Sequence, residues 1–519
     1  MSDAYSKSVT AETGTGWFRS AAGTAVGLSI LSMLFAAANV LHWITTDGTI
    51  GTMSVPVVYG IALIVAGALT ILTGLVSRGQ LVETNAKEMT GVGPGFATGL
   101  VTFVTAGLVL SQTLGFGTAV WVLGALVCGI VAFVLTVFAN EDIGSTLPWG
   151  GLAVLVGVVL LSGVIGPSWE WSPAGFGFAF TGFITVPGLT FVASLATVWS
   201  AAKAYEGFGS RGSQAGAYLL IGTNALFMLS LLVLLVVFVT KKGAGRALQG
   251  AHLGPGLSVH VPFIMNGAGL GVDSPGVLPA IVGTFWLVIG AVIFSVPLGV
   301  GAAVFLSEYA ERGRFTMVVD LATDGLWSTP SIVYGLFGWA FLLPRLSASG
   351  RPNILAGQLV LGFMLIPLIL ITSREAIKSV PDAYRDASVA LGVNNWQTIR
   401  SVVLPAAVPG IITGVILGVG RIAGETAPIL LVATGGLNGR AVQVFKSFRF
   451  TASPPFVAND ALLSATNALP YQIYAIIEHG VGGKEEFGWA TAFVLLVLVM
   501  AFYSIGIATR MYFQRKLDQ

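Results

Sequence analysis

The chain has 519 residues, of which 55% are hydrophobic and only 9% are charged, and its mean hydropathy is +0.86. Because a soluble domain carries roughly 25% charged residues, this composition indicates a membrane protein. The net charge of +2 excludes a basic nucleic-acid-binding protein, and the single cysteine, Cys128, excludes a disulfide framework or a thiolate metal site. The polar stretch from Met1 to Trp17 lacks the apolar core of a signal peptide, so we expect no cleaved targeting segment.

Apolar segments long enough to cross a bilayer recur along the whole chain. A helix needs about twenty apolar residues to cross roughly 30 Å of hydrocarbon, and each span must be helical because lipid offers no partner for backbone polar groups. The sequence therefore predicts an all-α polytopic membrane protein with about twelve transmembrane helices. The predicted spans are 21–43, 55–77, 95–114, 116–139, 147–165, 176–200, 217–239, 277–306, 327–344, 354–372, 406–431 and 488–509.

The distribution of lysine and arginine in the loops predicts the orientation, because basic residues are retained on the cytoplasmic side. If the N-terminus lies inside, twelve spans return the C-terminus to the same side, and most of the 25 basic residues then fall inside. Lys241, Lys242 and Arg246 do not fit this arrangement, since they follow a span that the arrangement directs outward. We expect a multi-pass cell-membrane protein with both termini in the cytoplasm.

The chemical character of the chain changes along its length. Residues 1–214 have short loops and about six apolar helices without a recognisable chemical motif, so their function is not indicated. Residues 215–519 have longer loops, with 241–276 and 432–487 on one side of the membrane and the polar segment 373–405 on the other. We therefore expect two membrane units. No motif recurs at matching positions, so the sequence does not indicate a duplication.

The polar segment carries helix signals outside the predicted spans. Pro381 suits the first turn of a short helix, and Gly392 suits its C-terminal end. Asn394 suits the N-cap of a second short helix. Ala383, Ala387, Ala390 and Leu391 recur at helical spacing and give the first helix an apolar face that requires a protein partner. The pattern alone leaves open whether that partner is another protein or this chain itself.

The same segment resembles the EAA loop of ABC-importer permeases, whose pattern is E-A-A, three residues, G, nine residues and I-x-L-P. The matching residues are Asp386, Ala387, Ser388, Gly392, Val402, Leu404 and Pro405. Both spacings agree, and Asp, Ser and Val replace Glu, Ala and Ile. In that family the loop is a coupling helix that docks into a groove of the ATPase subunit. The resemblance therefore implies a partner for the apolar face.

Further segments narrow the resemblance to phosphate importer permeases of the PstA type. They are Pro297 to Gly301 with Glu308 to Ala310, Thr329 to Gly338, Gly424 to Pro428, and Leu469 to Tyr474. They occur in order over about 215–519, and the resemblance implies a type I ABC permease core of six helices at about 277–510. It also implies a second homologous permease subunit, two ATP-binding cassette ATPase subunits and an extracellular phosphate-binding protein.

Arg421 and Glu425 lie inside a predicted span. A charged side chain at the bilayer centre costs at least about 2.5–3.5 kcal/mol, so it persists mostly where it faces a partner or a watery path. A spacing of four residues places the two on one helical face, where they can form a structural ion pair. The alternative is a translocation path in which Arg421 meets the anion and Glu425 holds Arg421 when the path is empty. The resemblance favours the second interpretation, and Ser331 and Thr426 are further candidate donors to the anion.

Enzymatic motifs do not occur in the sequence. The phosphate-loop pattern G-x-x-x-x-G-K-[ST] is missing, as are hydrolase, zinc and dinucleotide motifs. We therefore expect a non-catalytic subunit that binds no cofactor, with ATP used by partner subunits. The predicted function is ATP-driven import of inorganic phosphate by alternating access. The alternatives are another oxyanion (sulfate, molybdate or tungstate), or a secondary transporter or polytopic sensor.

Overall fold

The computed structural model of the chain describes residues 16–173, 177–253, 259–267, 276–311, 313–346, 350–436, 440–452, 456–479 and 485–517. The N-terminal stretch for which no targeting signal is expected lies almost entirely outside these residues. The chain forms two compact units, Met1–Val237 and Phe238–Gln519.

Long apolar helices build the described part of the first unit. They are α1 (Gly16–Val40), α2 (Val55–Arg78), α3 (Val92–Leu108), α4 (Thr118–Phe138), α5 (Glu141–Leu161), α6 (Gly182–Tyr205) and α7 (Gly209–Ala247). Helix α3 continues into a π-helical turn, Val109–Thr113. The boundary between the units falls inside α7, after Val237, whereas the sequence suggests a boundary after residue 214. The functional division into 1–214 and 215–519 stays a prediction.

Glycines allow two helices of the first unit to pack backbone against backbone. A β-carbon added to Gly67 on α2 would lie 2.5 Å from the carbonyl oxygen of Gly150 on α5, and one added to Gly60 would lie 2.8 Å from that of Gly157. The glycines recur at a spacing of seven residues, so they line one stripe of each helix. Small residues in such a stripe let membrane helices approach closely and gain van der Waals contact.

An ion pair is buried where α5 and α6 pack together. Lys203 Nζ lies 2.7 Å from Glu141 Oε1, and the two side chains are only 3% and 1% exposed. The Glu141 carboxylate also accepts hydrogen bonds from the backbone N–H groups of Lys87 and Gly209 and from the hydroxyl of Ser213. Every partner needed to offset burial of these charges is therefore present within the unit.

The described part of the second unit is also helical. Its helices are α8 (Pro262–Met265), α9 (Leu278–Val304), α10 (Arg314–Ser328), α11 (Ser331–Phe337), α12 (Leu343–Leu346), α13 (Ile354–Lys378), α14 (Asp382–Ala390), α15 (Asn395–Thr398), α16 (Leu404–Ala423), α17 (Ala427–Val432), α18 (Leu469–His479) and α19 (Glu485–Leu517). Three π-helical turns adjoin these helices. Phe305–Tyr309 follows α9, and Gly338–Leu342 joins α11 to α12. Ile399–Val403 joins α15 to α16.

Helix α13 forms the centre of this unit. Its side chains Leu361, Leu365 and Ile369 are fully buried and pack with residues of α9, α16 and α17. The Asn353 side chain caps its start by accepting a hydrogen bond from the N–H of Ala356 at 2.8 Å. A helix that is apolar on all sides and covered by its neighbours provides the scaffold for the elements around it.

The number and type of spans agree with the sequence. Eleven described helices are long and apolar enough to cross a membrane, and a bent pair, Arg314–Ser328 with Ser331–Leu346, makes up to twelve. The prediction of an all-α polytopic protein with about twelve spans is therefore confirmed.

Two predicted spans are wrong in their continuity. The span 327–344 contains a bend of 101° between α10 and α11, where Pro330 lacks the N–H needed to continue the helix. The span 406–431 ends at Ala423, and Gly424 separates α16 from the short helix α17. Apolar content continues through both breaks, so hydropathy alone cannot locate them.

Short antiparallel hairpins occupy several connections between helices. They are β1 (Thr49–Ile50) with β2 (Met53–Ser54), β3 (Glu170–Trp171) with β4 (Phe180–Thr181), β5 (His252–Leu253) with β6 (Val259–His260), and β7 (Phe448–Phe450) with β8 (Val457–Asn459). In the β5–β6 hairpin His252 pairs with His260, and Leu253 pairs with Val259.

Candidate coupling surface and translocation site

The predicted coupling helix is α14, and its ends are fixed by local sequence. Pro381 is its N-cap residue, one position before the first-turn position that the sequence suggests, and Gly392 lies two residues after its end. Gly392 has φ +73, which glycine adopts without steric cost. Its N–H donates to the Val389 carbonyl at 2.9 Å, and the Val393 N–H donates to the Ser388 carbonyl at 3.2 Å. These bonds close the helix end before the chain turns.

One face of α14 is exposed and largely apolar. Val389 and Leu391 are 62% and 82% exposed, and Asp386 and Ala387 are exposed beside them. Ser388 instead points inward, where its hydroxyl donates to the Tyr384 carbonyl at 3.1 Å. The helix thus presents a surface that the described part of its own unit leaves uncovered.

The segment after α14 leads directly into a membrane span. Asn394 accepts a hydrogen bond from the N–H of Gln397 at 2.9 Å and caps α15 as predicted. From Asn395 the chain is helical without interruption to Ala423. Leu404 and Pro405 therefore lie within this run, at the start of α16.

Arg385 is a structural link that the sequence analysis missed. Its guanidinium donates to the Glu308 carboxylate at 2.9 Å and to the carbonyls of Val380 at 2.8 Å and Ile377 at 3.1 Å. The hydrogen bond that Arg385 donates to the Glu308 carboxylate raises the pKa of Arg385, so the side chain remains charged. Helix α14 is thereby fastened to the π turn after α9 and to the end of α13. The sequence places Glu308 in a segment that resembles the family, which indicates that Glu308 has a role. No pattern in the sequence indicates that Arg385 is its partner.

Arg421 lies in the last turn of α16, where it contacts an aromatic ring. Its guanidinium carbon is 4.4 Å from the centroid of the Trp327 ring, and the side chain is partly buried. This distance is within the range of a cation–π interaction. The predicted pairing with Glu425 is wrong for this structure: the two form no ion pair within the described part of the chain. The helix ends at Ala423, so a spacing of four residues no longer places them on one face.

The remaining candidates lie at the two helix breaks. Glu425 and Thr426 are partly buried between α16 and α17, and Ser331 begins α11 directly after the 101° bend. The helices α11 and α17 cross closely at Gly335, where an added β-carbon would lie 2.9 Å from Pro428 Cα. The fold therefore places α11, after the bend, against α17, after the break at Gly424. It shows no contact between Arg421 and the hydroxyls of Ser331 or Thr426.

Comparison with known proteins assigns the chain to a family. A family model described as binding-protein-dependent transport system inner membrane component matches residues 295–518. The phosphate transport system permease protein PstA of Haemophilus influenzae is 32% identical over 245 residues, which cover 47% of this chain and 78% of that protein. The chain belongs to the PstA family of ABC-importer permeases. PstA proteins of Xylella fastidiosa (strain 9a5c) and Yersinia pestis are 33% and 30% identical, over 45% and 46% of this chain and 74% and 73% of those proteins.

Both candidate sites fall inside the segment matched by the family model. A PstA-family permease is a multi-pass inner-membrane subunit of an ABC importer and is generally not itself catalytic, and the family implies ATPase and binding-protein partners. The resemblance to a PstA-type permease and the assignment of the fold class are therefore confirmed. Residues 1–294 lie outside the match to the family model.

Proposed function

We propose that the chain is the permease subunit of an ATP-driven importer that moves inorganic phosphate across the inner membrane by alternating access. The observation that carries this proposal is Arg421, a partly buried guanidinium without an acidic partner in the described part of a membrane unit. The PstA relatives are phosphate permeases by name and support phosphate as the substrate.

Arg421 would serve as the fixed countercharge for the anion. A guanidinium stacked on an indole keeps its N–H groups at the edge of its plane, where they can form a planar fork with phosphate oxygens. Trp327 would stabilise the cation when no anion is present, which is the role that the sequence analysis gave to Glu425. The other candidate path residues remain Glu425, Thr426 and Ser331. Glu425 and Thr426 lie at the break between α16 and α17, and Ser331 follows the bend between α10 and α11.

The exposed face of α14 would dock on an ATPase subunit. The motif-bearing part of this surface is formed by Asp386, Ala387 and Gly392. Leu404 and Pro405 lie within the span that follows, at the start of α16. We propose a complex with a second homologous permease, two ATPase subunits inside and a phosphate-binding protein outside, with both termini of this chain cytoplasmic. ATP hydrolysis would take place on the ATPase chains.

Two connections would carry motion from the docked helix to the anion site. The first is Arg385, which fastens α14 to Glu308 and to the end of α13. The second is the uninterrupted helical run from Asn395 to Ala423, which extends from the loop after α14 to Arg421. Because a packed helix moves as a rigid element, displacement at the ATPase would be transmitted to the path.

The test is ATP-driven uptake of labelled phosphate by the assembled transporter in liposomes. Arg421→Ala should lower uptake at least about a hundredfold, which corresponds to two charge-assisted hydrogen bonds of about 1.5–3 kcal/mol each. Arg421→Lys should recover part of the activity because it keeps the charge and loses the fork. Arg440→Ala, at an exposed arginine outside the spans, is the matched control.

The same assay decides between substrates and energy sources. Unlabelled sulfate, molybdate and tungstate are added as competitors, and ATP is omitted in parallel. Uptake that one of these oxyanions blocks better than phosphate would assign the protein to that oxyanion. Uptake without ATP would assign it to the secondary transporters, and unimpaired uptake by the Arg421→Ala variant would remove Arg421 from the path.

A further inference from the structure

A hairpin in the second unit brings two of the chain's four histidines face to face. His252 on β5 pairs directly with His260 on β6, and the centroids of their rings lie 5.0 Å apart. Both side chains are exposed. Residues directly opposite on an antiparallel pair keep their β-carbons about 4.5–5.5 Å apart, so the backbone itself holds the two imidazoles together.

The tautomer of His252 is fixed by a backbone group. Its Nδ1 lies 2.9 Å from the carbonyl oxygen of Gly250, and since a carbonyl only accepts, Nδ1 must carry the proton. In the neutral ring Nε2 then has a free lone pair. Histidines that ligate metals almost always donate their other ring N–H to such a carbonyl or a carboxylate, which orients the ring and raises its basicity.

The separation of the rings matches two imidazoles on one ion. With metal–nitrogen distances of about 2.0–2.1 Å, two rings bound at angles of about 90–109° place their centroids about 4.5–5.1 Å apart. We propose that His252 and His260 form a binding site for one divalent transition-metal ion of the copper, nickel or zinc class. The separation of 5.0 Å between the ring centroids lies between the values for square-planar and tetrahedral geometry.

The chemistry of the site excludes hard cations. Imidazole nitrogen suits Cu²⁺, Ni²⁺ and Zn²⁺, whereas Ca²⁺ and Mg²⁺ require oxygen ligands. Within the described residues no group of three or more His, Cys, Asp and Glu could hold a metal, so the pair supplies two ligands and water completes the shell. Affinity should follow the order in which Cu²⁺ binds more tightly than Ni²⁺ or Zn²⁺.

The experiment uses the full chain, purified with a histidine-free tag and titrated with Cu²⁺ while binding is followed by calorimetry and electron paramagnetic resonance. The proposal expects one ion per chain, two coordinated nitrogens, and displacement by excess Zn²⁺. His252→Ala and His260→Ala should each lower the affinity at least about tenfold, because each removes one of the two ligands and even the loss of a group that only orients a ligand costs about tenfold. The chain's other two histidines provide matched controls, and His42→Ala and His479→Ala should bind as the unaltered protein does.

Three results would overturn the proposal: binding unchanged by either hairpin substitution, binding lost in His42→Ala or His479→Ala, or a spectrum with one coordinated nitrogen. His252→Asn and His260→Gln, with a thermal melt of each variant, distinguish loss of a ligand from loss of the fold. A loss of affinity in variants that melt normally supports the site, and a loss confined to variants that melt early contradicts it.

Discussion

Lys203 in the first unit and Arg421 in the second unit are stabilised in different ways. In the first unit, Lys203 and Glu141 meet at 2.7 Å, and the carboxylate accepts three further hydrogen bonds. In the second unit, Arg421 has an aromatic ring in place of a carboxylate. A fully satisfied pair has no remaining capacity for a ligand, whereas a cation held by a ring keeps its hydrogen-bond donors available.

This difference separates a structural charge from a candidate functional one. The Glu141 carboxylate joins the loop before α3, α6 and the start of α7, so it organises the fold. A charged side chain such as Arg421 costs free energy in a membrane unit, and an anion that pairs with it during transport would offset that cost.

The largest expected effects come from removing one cation in each unit. Lys203→Met leaves Glu141 buried and unpaired and should lower the free energy of unfolding by about 3–5 kcal/mol. Arg421→Met should abolish phosphate uptake with a much smaller change in stability. Thermal unfolding in detergent and uptake in liposomes measure the two quantities.

A double replacement sharpens this contrast. Glu141→Leu combined with Lys203→Met should recover most of the lost stability, because no charge then remains buried. Glu206→Gln, which breaks an exposed pair with Arg19, is the control and should change stability by less than about 1 kcal/mol. The comparison fails if Arg421→Met destabilises the chain as strongly as Lys203→Met does.

The next effect concerns the coupling helix. Gly392→Trp, or Asp386→Lys with Ala387→Lys, should leave the protein inserted while strongly reducing uptake, because each blocks the exposed face of α14. Arg385→Met should reduce uptake by loosening the link to Glu308 while leaving that face intact. Phosphate uptake and binding of the ATPase subunits are measured in parallel.

Binding of the ATPase subunits distinguishes these variants. The first two should lose ATPase binding, whereas Arg385→Met should retain binding and lose the stimulation of uptake by ATP. Arg400→Ala, at an exposed arginine in the π-helical turn after α15, should behave as the unaltered protein. Normal uptake by the blocked variants at normal expression would refute the assignment of the coupling surface.

A smaller effect is expected at the ring beneath Arg421. Trp327→Leu removes a cation–π contact of about 0.5–2 kcal/mol, so the concentration of phosphate at half-maximal uptake should change by about twofold to thirtyfold. Trp339→Leu, at an exposed tryptophan beyond the bend, is the control. An equal change in both variants would show that the ring acts only as an apolar surface.

The smallest effect is expected from deletion of residues 1–214. A chain that begins at residue 215 keeps most of α7 and all residues matched by the family model. It should insert, assemble and take up phosphate at a rate within about twofold of the full chain. Subunit co-purification and uptake test this, and wholesale degradation would show that 1–214 is integral to the permease.

Local signals in the sequence were sufficient for the elements that are stabilised locally. Hydropathy located the spans because lipid imposes helix on any long apolar segment. Pro381, Gly392 and Asn394 located the ends of α14 and α15 because each acts on neighbouring backbone groups. The order and spacing of family-like segments were sufficient to indicate a PstA-type permease.

Tertiary structure alone decided which charges meet. Glu308 and Arg385 are distant in sequence, and their bond forms because the π turn after α9 and the end of α13 both lie beside α14. The partner of Arg421 changed from Glu425 to Trp327 because Gly424 ends α16 and the bend at Pro330 places α10 nearby. Hydrophobicity and capping are properties of short segments, whereas the partner of a charge depends on how distant segments pack, and no local pattern encodes that.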